Sequence, residues 1–89
     1  MSDPAFPWTA SVRLRSASPA VVEWLEQALR PEAEREVPRA RAEIYRGEAG
    51  SLEVAISARD SGAMRAALNT YLGWIHLSLA TAQAAARPK

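Results

Sequence analysis

The sequence predicts an α+β domain: a small antiparallel three-stranded sheet with two helices packed on one face, in the order β-α-β-β-α. Three observations predict it. Apolar residues recur at every second position in three short stretches, the period of half-buried strands. They recur at helical spacing in two others. The second and third strand-like stretches are joined by a short connection bounded by Gly47 and Gly50, as in an antiparallel hairpin.

Residues 1–7 read as an N-terminal extension, 8–86 as a single domain and 87–89 as a tail. The first strand covers residues 8–15: Trp8, Ala10, Val12 and Leu14 face the core, while Thr9, Ser11, Arg13 and Arg15 face out. Ser18 caps the first helix and Pro19 occupies its first position. Val21, Val22, Leu25, Ala28 and Leu29 form the apolar face of that helix, and Pro31 is expected to stop it. Residues 32–38, polar and ending in proline, read as a loop with solvated Glu32, Glu34 and Glu36. In the second strand, Ala40, Ala42 and Ile44 alternate with Arg39, Arg41, Glu43 and Tyr45. In the third, Leu52, Val54, Ile56 and Ala58 point inward. Asp60 or Ser61 caps the last helix, which is free of proline to about residue 86. Arg87 and Lys89 then meet the negative end of its dipole.

Composition narrows the function classes. A chain of 89 residues holds one core and is too short for a nucleotide-binding α/β enzyme domain or a barrel. It has no cysteine and one histidine, which removes disulfide frameworks, thiolate zinc sites, Cys nucleophiles and multi-His metal sites. No metal or other cofactor is expected. Asp60 is a helix cap before it is an acid–base residue, and His76 has no partner for a metal or a triad. No catalytic constellation emerges, so an enzyme is not expected. The first residues carry neither a basic nor an apolar signal segment, so a cytoplasmic protein is expected.

The last helix carries most of the information. Met64, Ala67, Leu68, Tyr71, Ile75, Leu79 and Ala82 form one stripe, wide enough to cover the sheet. Its opposite side does not turn charged. Ala66, Thr70, Gly73, Leu77, Ala80 and Ala84 cluster there, with Trp74 on a flank and a polar seam of Arg65, Asn69, His76 and Gln83 between. A helix that is apolar or small on two faces is buried on two faces. One small core supplies one of them, and small residues let another helix approach closely, so a second polypeptide is expected on the other. A membrane span competes poorly because of Asn69, Thr70, His76, Ser78, Thr81 and Gln83. Small residues tolerated on a solvated face are the plainer alternative. Arg13, Arg15, Arg39 and Arg41 share the outward parity of their strands, a candidate phosphate-binding face. Pairing with Glu43 and Glu53 would neutralise it. A free-standing RNA-binding module using that face is the alternative function, although only Tyr45 offers a stacking ring.

The run over residues 58–75 carries a family resemblance. Asp60 at the strand–helix junction is followed by Arg65-Ala66 and then Asn69-Thr70-Tyr71-Leu72. This pattern resembles the signature of the small dimerisation subunit of the KEOPS/EKC complex, the family that includes the CTAG/LAGE-type proteins of animals. Leu29-Arg30-Pro31-Glu32 is similar to that family's Leu-x-Pro-Glu at the end of the first helix. The resemblance covers about residues 11–83; Met64, where Leu is commoner, departs from it. An archaeal source is expected from the compact chain. The resemblance implies a non-catalytic scaffold that forms a homodimer, or a heterodimer with a paralogous small subunit, through a shared sheet. It implies helices that dock the catalytic threonylcarbamoyl-transferase subunit of an assembly making threonylcarbamoyl-adenosine in tRNA. On this sequence the candidate partner-binding set is Arg65, Ala66, Asn69, Thr70, Gly73, Trp74 and Leu77. Arg65 and Asn69 match the motif, as does Tyr71; Gly73 and Trp74 come from the helical wheel. The candidates for tRNA contact are Arg13, Arg15, Arg39 and Arg41.

Overall fold

The computed structural model describes residues 4–16, 18–34 and 39–86. Along them run β1 (Trp8–Leu14), α1 (Pro19–Glu34), β2 (Ala40–Arg46), β3 (Leu52–Ala58) and α2 (Ser61–Ala86), with a 3-10 turn at Glu48–Gly50. The architecture is the predicted β-α-β-β-α order of an α+β fold, with one antiparallel three-stranded sheet. Of the extension and tail read from the sequence, residues 1–3 and 87–89 lie outside the described residues, as do 35–38 of the predicted loop.

The strands lie in the order β1-β3-β2, so β3 is central and both β1 and β2 are edges. The register sets Val12, Val54 and Ile44 in one row, and Trp8, Ala58 and Ala40 in another. Alternation then puts Leu52, Val54, Ile56 and Ala58 of β3 under the helices, all buried. Val22, Leu25 and Leu29 of α1 meet them, with Met64, Tyr71 and Ile75 of α2. Each such side chain, fully removed from water, contributes about 1.5–3 kcal/mol before conformational entropy is charged against it. The hairpin closes through the Gly47 N–H on the Ser51 carbonyl (2.8 Å) and the Ser51 N–H on the Glu48 carbonyl (3.1 Å). Gly50 sits at φ +74°, the left-handed region that glycine enters without penalty.

Both helices start where the sequence places them, and at α2 a side chain caps the first turn. The Ser18 carbonyl accepts from the N–H of Val21 at 3.2 Å, and Pro19 is the first helical residue. At α2, an Asp60 carboxylate oxygen accepts from the N–H of Ala63 at 2.7 Å, and its carbonyl accepts from Met64 at 3.0 Å. The other carboxylate oxygen accepts from Arg39. The cap bond first, and then Arg39, hold the Asp60 carboxyl below its ordinary pKa.

Two expectations are corrected. Pro31 does not stop α1, which continues one more turn to Glu34, so Glu32 and Glu34 are helical rather than in a loop. Proline removes the N–H that would reach the Gln27 carbonyl and its ring crowds that oxygen; both residues are exposed, so water can serve it. The apolar stripe of α2 also does not cover the whole sheet. It buries the inner side of β3, but Ala10, Val12 and Leu14 of β1 are only half-buried and Trp8 is 51% exposed. The sheet order explains this: α2 lies chiefly over the central strand and α1 over β2, leaving the β1 side least covered.

Candidate partner-docking site

α2 is 26 residues long. At 1.5 Å per residue it spans roughly 39 Å. A seven-residue strand spans roughly 23 Å, so α2 reaches well past the sheet and gives the molecule its 49 Å long axis. Met64, Tyr71, Ile75 and Ala82 are buried, as the wheel requires. Ala66, Thr70, Gly73, Leu77, Ala80 and Ala84 on the opposite side are exposed, Leu77 by 65%. Arg65, Asn69 and His76 of the polar seam are also exposed, while the Gln83 side chain lies outside the described residues. The exposed face therefore carries small and apolar groups with charge only at its seam.

Gly73 is informative here. A Cβ built on it meets no atom within 4 Å. Nothing in the chain itself requires glycine at that position, although glycine inside a helix costs about 1 kcal/mol relative to alanine.

On one flank of α2 an open groove of about 580 Å³ runs toward β2 and the last turn of α1. Ala40, Ala42 and Ile56 line its sheet side; Ala66, Thr70, Tyr71 and Trp74 line its helix side. The Tyr71 and Trp74 rings meet edge to face, centroids 5.4 Å apart. Glu32 closes the α1 end. Burial raises the Tyr71 phenol pKa, and the Glu32 carboxylate raises it further. The groove thus joins Ala66, Thr70 and Trp74 of the candidate set; Arg65, Asn69, Gly73 and Leu77 lie outside it on the open face. Sequence reasoning missed Glu32, Ala40 and Ala42 as groove residues. Only the strand order and the extra turn of α1 bring them there.

The four arginines do not form one patch. Arg13 is ion-paired to Glu53 at 2.6 Å. Arg39 is paired to Asp60. The Arg41 guanidinium stands 4.2 Å from the Phe6 ring centroid, a cation–π contact. Arg15 follows the end of β1 and is exposed. Arg13 sits in the row of Glu53 and Tyr45; Arg41 sits in that of Ser57 and Thr9. Four residues along and two strands across separate them by about 16 Å. Tyr45, the one candidate stacking residue, donates its hydroxyl to Glu43.

Among the described residues no group of three or more His, Asp or Glu side chains is placed to hold a metal ion, and no helix is long and apolar enough to cross a membrane. A small sheet with two free edges, carrying a long helix apolar on two sides, defines a small interaction module. Residues 9–83 match the family model described as Transcription factor Pcc1. The chain belongs to that family, the family of KEOPS/EKC complex subunits and of non-catalytic character. No curated protein matches the chain.

Proposed function

We propose that this chain is the non-catalytic, cytoplasmic pairing scaffold of a KEOPS complex. In this reading the open face of α2 and its flanking groove receive helices of the threonylcarbamoyl-transferase subunit. A homodimer, or a dimer with a paralogous small subunit, presents that face. Family membership supports the assembly. The observation that carries the docking reading is the exposed small-residue face of α2, with Gly73 open to solvent on it. A helix free of large and charged groups along Ala66, Thr70, Gly73 and Ala80 allows a second helix to approach closely. Arg65 and Asn69 at its seam offer hydrogen bonds that fix the approach.

Replacement of Ala66 and Gly73 by tryptophan tests it. Both positions are exposed in the chain alone, so the variants should keep a wild-type circular dichroism spectrum. Co-purification with the catalytic subunit of the same organism should be lost. Retained co-purification by a folded double variant rejects this face as the docking surface.

A further inference from the structure

The groove between α2 and β2 is polarised along its length. Its walls are low: Ala40 and Ala42 line the sheet side, Ala63 and Ala67 the helix side. Such walls accept the methylene stem of a long side chain. At the start of α2, Arg39 and Asp60 neutralise each other in an ion pair. Arg41, the other basic residue of the lining, holds its guanidinium on the Phe6 ring. Tyr71 lies eleven residues beyond Asp60, roughly 16 Å along the helix. There the groove is acidic. The half-buried Glu32 side chain lines it, and its carboxylate adds to burial in raising the Tyr71 phenol pKa. The Trp74 ring stands edge to face with Tyr71 at the same place, and the Thr70 hydroxyl adds an acceptor.

We propose that this groove takes a cationic side chain, an arginine of the helix that docks on α2, and that Glu32 and Trp74 select it. The proposal deepens the docking reading and rests on it. Ala66, Thr70 and Trp74 belong both to the candidate docking face and to the groove lining, so a helix seated on that face runs along the rim of the groove. A side chain leaving that helix on this flank enters the groove. Three features suit a guanidinium there. A carboxylate receives its planar fork in two parallel hydrogen bonds, which an ammonium does not offer. Indole is the best ring for a cation–π contact. The alanine walls leave room for the aliphatic stem. An acidic occupant would meet Glu32 as a like charge. A purely apolar one would desolvate the Glu32 carboxylate with no hydrogen bond in return.

Glu32→Gln keeps the shape of the side chain and removes its charge. Trp74→Leu keeps an apolar filler and removes the ring. Affinity for the threonylcarbamoyl-transferase subunit of the same organism, measured by titration calorimetry on variants with a wild-type circular dichroism spectrum, should fall about tenfold or more for Glu32→Gln. It should fall for Trp74→Leu as well. Glu32→Arg should bind more weakly still, and glutamate in place of one arginine on the subunit's docking helix should restore that binding. Wild-type affinity should also weaken between about 0.1 M and about 1 M salt, which needs no variant. Wild-type affinity indifferent to salt, or a loss in Glu32→Arg that no such exchange restores, overturns the arginine. Glu32→Gln that binds like wild type, with binding lost in the Ala66 and Gly73 tryptophan variant, overturns the cation pocket and leaves the docking face standing. Binding retained by that double variant rejects the docking reading itself.

Discussion

Gly73 separates what suits the isolated chain from what suits an assembly. Its neighbourhood is open, so alanine costs no clash there and gains the usual helical preference. Gly73→Ala should raise the stability of the isolated domain by about 1 kcal/mol, read from urea unfolding. A glycine kept at a stability cost on an exposed helix face is what close helix approach by a partner calls for. Asp60 illustrates the opposite case, a residue whose two bonds serve the chain itself. One oxygen caps α2 and the other takes Arg39. Its folded pKa lies below that of an ordinary aspartate carboxyl. A depressed carboxyl stabilises the fold above its unfolded pKa, and that contribution fades as pH falls through the lower folded pKa. Asp60→Ala should therefore lower the unfolding midpoint at pH 7. The difference from wild type should shrink as pH falls below the ordinary carboxyl range.

At the scale of elements, the strands and helix starts were legible because each is fixed by a few neighbours. Leu52, Val54, Ile56 and Ala58 announce β3 by parity alone. Pro19 at the first helical position and the Asp60 carboxylate cap announce their helices. The end of α1 was not legible, because proline forbids a donor rather than a helix. Its cost depends on whether the freed carbonyl finds water, and that depends on which side of the helix faces the sheet. Pro31→Ala restores the bond to Gln27 in the last turn of α1. It should raise stability by about 1 kcal/mol, below the ~3 kcal/mol of an interior proline, as measured by thermal or urea unfolding. The doubly apolar character of α2 was legible from its wheel, but which flank lies open was not. The groove toward β2 and the bare flank toward β1 both follow from the order β1-β3-β2, which single-strand patterns do not encode.

For the whole molecule, distribution matters more than composition. The arginines share a parity in the sequence, yet the sheet register separates Arg13 from Arg41 and gives Arg13, Arg39 and Arg41 partners within the chain. Apolar groups, in contrast, gather where no element of the chain covers them: along α2 at Leu72 and Leu77, and beside β1 at Trp8. One sheet and two helices leave two surfaces unfinished, an edge and a helix face. In the proposed assembly, other polypeptides finish both. The mass of the protein in solution, measured alone and with the threonylcarbamoyl-transferase subunit of the same organism, tests this most directly. A dimer is expected for the protein alone, and a larger complex with that subunit. A stable monomer under both conditions contradicts it.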